Sequence, residues 1–442
     1  MAPGQLQYNL KLALINMRRN PVLTALMIAA VGVGIGAFMT ILSITHSMGG
    51  NPIPQKSDEL YVVRVDNWSA DQPFAGGEYP PVQMTYLDAT ALMESAPAFR
   101  QTAMSRSSLA LEPENPDERP FFVDVRGAYG DFFAMFDVPF RYGGAWTREA
   151  DDALEPVVVL SAETNERVFG GEDSVGREVT MSGRNYRVVG VLDTWAPAPK
   201  FYDVTSGAYN EPEDVYIPWT LIVGYNLPRR GNTNCWKAPP SDGLEGFLAS
   251  ECIWIQFWAE LRNEAERNEY MSFLNAYVTE QKKLGRFPRP LDNRLTNVTD
   301  WLEERGTVAD EAKMLLGLSV IFLTVCLLNT IGLLLAKFMS KAPEIGVRRA
   351  LGASRRTLFK QYLVEAGLIG VVGGLLGIGF TRLGLFGIQT QFEFNEPDAL
   401  LVMDWQMALT AVALAIVASL VTALYPTWRA CSVQPSAHLS TQ

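Results

Sequence analysis

The chain has 442 residues, a formal net charge of −11 and a hydrophobic fraction of 48%. This length allows two or three domains. With two histidines and no G-x-x-x-x-G-K-[ST] phosphate loop, the sequence argues against a histidine-based metal site or catalytic triad and against ATP hydrolysis through a P-loop in these residues.

The amino-terminal segment is basic and leads into the first of four long apolar runs. Residues 1–21 contain Lys11, Arg18 and Arg19 and no acid, and we predict a cytoplasmic amphipathic helix there. The run at residues 22–45 contains no Asp, Glu, Lys or Arg. It is longer than a signal-peptide core and has no convincing cleavage site, so we interpret it as a retained first membrane span.

Residues 46–310 form a large acidic segment with the mixed pattern of an α+β domain. The segment has 41 acidic and 24 basic residues, a net charge of −17, which disfavours nucleic acid or anionic lipid as its ligand. Runs of β-branched and aromatic residues alternate with helical stretches. They predict strands at 60–65, 121–126, 157–160 and 186–192, and helices at 83–94, 161–170 and 264–284.

Within this segment, residues 219–252 are predicted to form a loop-rich insertion. Cys235 and Cys252 lie on the same, oxidising side of the membrane, and we hypothesise that they form a disulfide. The tryptophans of this region, Trp219, Trp236 and Trp254, either contact a substrate or partner or fill a small local core.

Three further spans and their flanking charges predict the membrane orientation. The spans are predicted at 311–338, 362–381 and 406–425. The loop at 339–361 and its flank are rich in Lys and Arg, whereas the loop at 382–405 is acidic. By the positive-inside rule, both termini and the basic loop are cytoplasmic, with the tail at 426–442, and residues 46–310 and 382–405 lie outside.

The basic loop contains the most informative segment of the sequence, KAPEIGVRRALGASRRTLFKQYLVEA. Pro343 is suited to start a short helix, Gly352 to end it, and Ser354 to cap a second helix that continues into the third span. A loop that is merely positively charged would account for the charges. It would not account for the order E-I-G-x-R-R-A-L-G-A.

This order closely resembles the coupling segment of MacB/FtsX-type ABC transporter permeases. The resemblance extends to VVVLS, VFGG and YRVVGVL in the large segment, which are similar to the MacB-type periplasmic core, and to YPTWRA near the carboxyl terminus. The tail departs from the family pattern in having Tyr425 where Gly is common. It also ends Ala437-His438-Leu439 without the usual basic residue.

The resemblance implies a membrane protein with four transmembrane α-helices and a large α+β extracytoplasmic domain between the first two. It implies a non-catalytic permease of the cell inner membrane, paired with a second permease subunit and a separate ABC ATPase that binds ATP and Mg²⁺. No cofactor is expected on this chain, and nucleic acid is not an expected partner. The residues expected to contact the ATPase are Glu344, Ile345, Gly346, Arg348, Arg349, Leu351 and Gly352.

The expected function is export of a periplasmic substrate, with a periplasmic adaptor and an outer-membrane channel as further partners. Lipoprotein extraction and FtsX-like regulation of an envelope enzyme are the alternatives, although a domain of about 265 residues is larger than expected for the FtsX type. Small-xxx-small pairs in the spans predict close helix packing. These pairs are Gly32 and Gly36, Gly370 and Gly374, and Gly373 and Gly377.

Overall fold

The structure is a computed structural model that describes residues 3–77, 79–113, 119–307, 310–391 and 405–432. The chain divides into two compact units, each described by itself below. The membrane bundle comprises residues 1–49 and 308–442, and the intervening domain comprises residues 50–307.

The described residues of the membrane bundle are helical almost throughout. Four of its helices are long and apolar enough to cross a membrane. A short first helix precedes them, and a second short helix lies between the second and third of the long ones. The helices are α1 (Pro3–Arg19), α2 (Pro21–Gly49), α11 (Asp310–Ser340), α12 (Ala342–Ala350), α13 (Arg355–Gln391) and α14 (Trp405–Cys431).

All four long helices extend beyond the predicted spans, α13 and α14 the furthest. The helix α13 begins at Arg355, inside the predicted loop 339–361, because Ser354 caps it, and it continues without a proline to Gln391, inside the predicted loop 382–405. The helix α14 continues through Pro426 to Cys431, so the first residues of the predicted tail are helical. Membrane helices tolerate such a proline when neighbouring groups satisfy the freed backbone. The predicted loop at 382–405 and the tail lie partly outside the described residues.

The paired glycines of α2 and α13 lie where these two helices pack against each other. A Cβ added to Gly32 would approach Leu376 and the carbonyl oxygen of Gly373 within 3.0 to 3.2 Å, and one added to Gly377 would approach Ile35 at 3.0 Å. Gly36 is more restricted, since a Cβ there would lie 2.5 Å from Phe380. Small residues therefore set how closely α2 and α13 approach, as in other small-xxx-small interfaces.

The second pair lies on the face of α13 that packs against α14. A Cβ on Gly370 would lie 2.8 Å from the Cα of Ile416, and one on Gly374 would lie 3.0 Å from Val412 and Ala415. The helix α13 thus uses glycine on two faces and packs closely against both α2 and α14.

The intervening domain is built on one mixed sheet of eleven strands in the described residues. Nine strands follow the order β11-β1-β10-β2-β3-β8-β5-β7-β4, while β6 pairs with β2 and β7, and β9 with β2. The strands are β1 (Leu60–Arg64), β2 (Arg100–Glu112), β3 (Phe121–Ala128), β4 (Phe140–Gly143), β5 (Val157–Leu160), β6 (Glu178–Met181), β7 (Arg184–Leu192), β8 (Val215–Pro218), β9 (Arg229–Arg230), β10 (Gln256–Glu260) and β11 (Arg294–Asn297).

Helices pack on both faces of this sheet. Successive side chains of a strand point to opposite faces, and apolar residues lie on both of them. Val158 and Leu160 of β5 belong to one hydrophobic cluster, and Val157 and Val159 belong to the other. The domain is therefore α+β, as predicted. Its helices are α3 (Tyr86–Ser95), α4 (Asp131–Met135), α5 (Arg148–Asp152), α6 (Ala162–Phe169), α7 (Trp219–Gly224), α8 (Gly243–Leu248), α9 (Glu264–Lys283) and α10 (Val298–Glu304).

The predicted insertion at 219–252 is tied into the domain rather than projecting as a separate lobe. Trp219 and Trp254 are both buried in one hydrophobic cluster, with ring centroids 6.4 Å apart, and Trp236 is half-buried. Trp219 and Trp254 thus fill core. Cys235 and Cys252 are joined by a disulfide in the structure.

A cluster of charged side chains around Arg126 of β3 is fully buried. Arg126 of β3 donates from Nη2 to Asp203 Oδ2 at 2.6 Å and also to Glu213. Lys200 Nζ lies 3.2 Å from Glu213 Oε1, and the hydroxyl of Tyr202 donates to Glu213 Oε2 at 3.0 Å. The two cations and two carboxylates balance in charge, as burial of ionised groups requires.

Asp151 is a further buried carboxylate of this domain, and we expect it to give the domain an unusual pH dependence. It accepts hydrogen bonds from the Trp146 indole and the Gly130 amide at 2.9 and 3.1 Å. Burial nevertheless raises the pKa of Asp151 to about 7, against the opposing effects of these bonds and Arg148 and with a small contribution from Asp152. The folded state therefore keeps a proton that the unfolded chain has already lost.

The stability of the domain should consequently fall as the pH rises from about 4 to about 7. Replacing Asp151 with Asn should remove this pH-dependent contribution. The free energy of unfolding of the wild type should therefore fall relative to that of the variant between about pH 4 and about pH 7, and the difference should stay constant above about pH 7. Denaturant unfolding of the full chain in detergent, followed by tryptophan fluorescence at several pH values, measures the difference. Asp58→Asn, at an exposed carboxylate of the same domain, is the control. Parallel wild-type and Asp151→Asn profiles would contradict the assignment.

Candidate functional site

The helix α12 forms a tight joint with α13, built by local capping. Gly352 has a φ of 99°, a left-handed conformation that favours glycine. Its amide donates to the carbonyl of Arg349, and the Ala353 amide donates to that of Arg348, which closes α12 with a Schellman motif. Ser354 Oγ then accepts from the Thr357 amide and caps α13.

The predicted ATPase-contacting residues divide into buried and exposed groups. Ile345 and Gly346 are buried within the bundle. Glu344 and Arg348 are partly exposed and form an i,i+4 ion pair of 2.5 Å along α12. Leu351 is 83% exposed, and Gly352 is also exposed. The exposed members therefore form one continuous surface that runs from the ion pair to the joint.

Arg349 also stabilises the bundle internally. Its Nη1 donates to the carbonyl oxygen of Cys431 at 3.4 Å, at the carboxyl end of α14. A cation is favourable at this helix terminus, where carbonyl groups have no partner within the helix. Arg349 thus ties α12 to α14, a role that its place in the sequence motif did not indicate.

A hydrophobic cluster anchors the buried side of α12, and we call it the α12 cluster. Ile345 belongs to it, and the rings of Phe338 and Tyr362 meet within it at a centroid distance of 4.5 Å. Its buried members are Met27 of α2, Leu334 and Phe338 of α11, Ile345 of α12, Leu358, Tyr362, Ala366 and Ile369 of α13, and Ala423, Ala430 and Cys431 of α14. The cluster therefore packs Ile345 of α12 together with side chains from all four long helices.

An ion pair inside the bundle lies next to this cluster. Lys337 of α11 and Glu365 of α13 approach to 2.7 Å between Nζ and Oε1, and both side chains are 0% exposed. Lys337 also donates to Thr24 Oγ1 of α2 at 3.0 Å, and Asn16 of α1 donates to Glu365 Oε2 at 3.2 Å. Four helices are therefore linked through one pair of charges.

Sequence reasoning did not connect these two residues. Glu365 is the one charged residue of the predicted span at 362–381, and Lys337 is one of the basic residues that flank the cytoplasmic loop. An ionisable residue within a membrane segment calls for a partner of opposite charge. That rule could have led from Glu365 to a search for the cation.

Lys341 adds a second amine near this pair. Its Nζ is buried and makes no hydrogen bond within the described residues. Burial lowers the pKa of Lys341, while the nearby Glu365 carboxylate opposes this effect and Lys337 adds to it. The amines of Lys337 and Lys341 and the carboxylate of Glu365 thus interact electrostatically near the junction between α11 and α12.

Together, the four long helices, the α+β domain between the first two, and an exposed helix between the second and third define a polytopic permease-like architecture. A family model described as the MacB-like periplasmic core domain matches residues 24–269. A second, described as the FtsX-like permease C-terminal domain, matches residues 316–435. The chain belongs to the MacB/FtsX-type ABC transporter permeases.

Three curated relatives illustrate the similarity. The macrolide export ATP-binding/permease protein MacB of Syntrophobacter fumaroxidans is 22% identical over 97% of this chain and 62% of its own length. The pyoverdine export ATP-binding/permease protein PvdT of Pseudomonas aeruginosa is 22% identical over 95% and 56%. The uncharacterized ABC transporter permease YvrN of Bacillus subtilis is 22% identical over 71% and 69%. The chain thus spans about six-tenths of the length of the two export proteins.

Solved structures with similarity to this chain include two extracytoplasmic domains. The periplasmic region of MacB from Actinobacillus actinomycetemcomitans matches 56% of this chain and 92% of its own, with 16% identity and a TM-score of 0.34. The extracellular domain of the transporter YknZ from Gram-positive bacteria matches 54% and 100%, with 13% identity and a TM-score of 0.33.

Proposed function

We propose that the chain is the permease subunit of an ATP-driven complex in which α12 binds an ABC ATPase and the bundle transmits its motion to the intervening domain. ATP and Mg²⁺ are bound by the ATPase, and a second permease subunit completes the complex. The driven process is export of a periplasmic substrate. Two of the relatives are macrolide and pyoverdine export proteins, which favours export over lipoprotein extraction or regulation of an envelope enzyme.

The observation that carries this proposal is the two-sided character of α12. One side presents Leu351, with the Glu344–Arg348 pair beside it, to the outside of the bundle. The opposite side inserts Ile345 into a cluster shared by all four long helices. Exposed apolar side chains next to charges suit a protein partner, and interior packing resists local deformation. A force applied to Leu351 would therefore move the helices together.

The proposed orientation places α12 and both termini in the cytoplasm and the intervening domain in the periplasm of a cell inner membrane. The Lys and Arg bias of the loop containing α12 supports this orientation. A periplasmic adaptor and an outer-membrane channel are further proposed partners. They would receive the substrate on the side of the intervening domain.

Charge reversal on α12 tests the proposal. Arg348→Glu together with Arg349→Glu should abolish stimulation of the ATPase and weaken its binding by about 2 kcal/mol or more, roughly 30-fold, because like charges would replace complementary ones at the interface. The measurement is ATPase activity and binding for the full chain in nanodiscs with the ABC ATPase that co-purifies with it. Unchanged ATPase activity would refute the assignment of α12.

A charge swap separates docking from support within the chain. Glu344→Arg with Arg348→Glu keeps an i,i+4 pair on α12 and reverses the charges presented to a partner, although it also places a cation in the first turn of the helix and an acid in the last. If the swapped variant fails to stimulate the ATPase, docking at this pair is supported. If it stimulates the ATPase as the wild type does, the pair only stabilises the helix. Lys11→Glu, at an exposed cation of α1, controls for charge reversal elsewhere on the same proposed side.

A further inference from the structure

The start of α13 and the end of α14 enclose a cleft of about 240 Å³ that none of the roles described above uses. It lies entirely within the membrane bundle. Its lining combines cations with aromatic and small side chains: Arg355, Arg356, Phe359, Lys360, Trp428, Cys431 and Ser432.

The cations of this cleft lack carboxylate partners in the described part of the chain. Arg355, Arg356 and Lys360 are exposed, and no carboxylate lies within ion-pair distance of them among the described residues. The two acids of this part of the bundle are engaged elsewhere, Glu344 with Arg348 and Glu365 with Lys337. Residues 433–442 contain no Asp or Glu. Three positive charges thus converge here without an acidic side chain to balance them.

The helix itself adds to the positive potential. Arg355 and Arg356 occupy the first turn of α13, which contains no acid. Cations in a first turn face the positive end of the helix dipole and are unfavourable there. An anion bound in the cleft would interact favourably with both the side chains and the helix terminus. The arrangement therefore favours a ligand of negative charge.

The aromatic wall distinguishes a lipid from a soluble anion. Trp428 is 61% exposed and Phe359 half-buried, so ring surface borders the cleft beside the cations. The helices α13 and α14 are membrane-spanning candidates, and the cleft lies at the terminus of each. Tryptophan is typical of the membrane–water interface, where its indole meets head groups and its ring meets acyl chains. Basic pockets between membrane helices at such an interface suit anionic head groups.

We propose that this cleft binds the head group of an anionic phospholipid, with Arg355, Arg356 and Lys360 holding the phosphate oxygens and Trp428 packing on the glycerol and upper acyl region. The cleft adjoins α12, because the backbone carbonyl of Cys431, one of its lining residues, accepts the hydrogen bond of Arg349. A bound lipid therefore lies next to the contact that ties α12 to α14. The binding itself does not depend on the proposed ATPase docking.

Lipid retention by the purified full chain, without any ATPase, tests this site. The chain is incorporated into phosphatidylcholine nanodiscs with increasing phosphatidylglycerol, and displacement of a fluorescent phosphatidylglycerol is measured. Each charge removed should weaken binding about fivefold, so that Arg355→Gln with Arg356→Gln weakens it roughly 25-fold. The charge-preserving pair Arg355→Lys with Arg356→Lys should retain most of the binding and shows that a loss is not misfolding. Lys11→Gln with Arg18→Gln, at two exposed cations of α1, is the matched control and should leave binding within about twofold.

Three results would overturn the proposal. Equal losses in the α13 and α1 variants would mean a general surface charge effect. Competition by inorganic phosphate as strong as that of phosphatidylglycerol would assign the cleft to a soluble anion. If the cleft bound no phosphatidylglycerol but an ATPase protected the Lys360→Cys variant from thiol labelling at that position, the cleft would be part of a protein interface. None of these results would by itself refute docking at α12, which the ATPase assay tests separately.

Discussion

Replacing Glu365 with Gln is expected to destabilise the membrane bundle by about 3–5 kcal/mol, the usual cost of removing one partner of a buried ion pair. The substitution keeps the size of the side chain and leaves the Lys337 ammonium, which is 0% exposed, without its carboxylate. The Gln amide has one acceptor oxygen for the two donors Lys337 and Asn16, and it carries no charge to balance the ammonium. Thermal inactivation of the purified chain in detergent, followed by size-exclusion chromatography, should show a much lower midpoint.

The double variant Lys337→Met with Glu365→Gln tests the cause. Because the buried Lys337 ammonium is removed together with its carboxylate, the double variant should recover a large part of the stability lost in the single variant. Lys11→Gln, at an exposed cation, serves as the control and should change stability by less than about 0.5 kcal/mol. A double variant as unstable as the single one would show that the packing of these side chains matters, and not their charges.

Replacing Glu213 with Gln should destabilise the intervening domain by a comparable amount, about 3–5 kcal/mol. The carboxylate is completely buried and bridges Arg126 and Lys200. Burial alone would raise the pKa of Glu213, but these two cations hold it well below its ordinary value. The stability contributed by the carboxylate is therefore fully present above about pH 4.5 and is lost as the pH falls below that value.

Two measurements check this prediction. Denaturant unfolding of the full chain near neutral pH gives the loss of stability, and a pH series shows that the gap between wild type and variant narrows on acidification. Glu155→Gln is the matched control, because the Glu155–Arg187 pair is exposed and such pairs contribute about 1 kcal/mol or less. Equal effects of the two substitutions would contradict the role assigned to the buried cluster.

Local patterns in the sequence predicted most of the helices and several strands. The run Val157–Leu160 forms β5 over the residues expected. Ser161 caps α6 by accepting the amide of Thr164, and the helix ends at Gly170 in the left-handed conformation. The Gly352 and Ser354 joint also forms as expected. These features depend on neighbours within a few residues, which is why pattern and capping chemistry suffice.

Long-range features could not be predicted in this way. The strand β8 lies between β3 and β5, parallel to one and antiparallel to the other. The Arg126–Glu213 contact joins residues 87 positions apart. Lys337 and Glu365 lie on different helices. A charged residue at the edge of an apolar run is equally consistent with a solvent-exposed position beside the membrane span. These contacts depend on tertiary packing, which cannot be inferred from a single sequence.

For the candidate site, the sequence predicted which segment forms it but not which of its residues are buried, exposed or bound to another helix. The E-I-G-x-R-R-A-L-G-A order marks α12 as a whole. It does not show that Ile345 is buried and Leu351 exposed, because both are aliphatic. It also does not show that Arg349 reaches the end of α14, whereas Arg348 pairs within its own helix.

The unbroken length of α13 has a mechanical consequence. At about 1.5 Å per residue, its 37 residues form a rod of about 55 Å, nearly twice the thickness of a hydrocarbon layer. The joint at Gly352 lies just before one end of this rod, so a small rotation there is amplified by leverage. A tilt of about 5° would displace the far end by about 5 Å, roughly one helical turn. In the proposed mechanism, a modest hinge movement at α12 would therefore produce a displacement of several ångströms without any change in the internal structure of the helix.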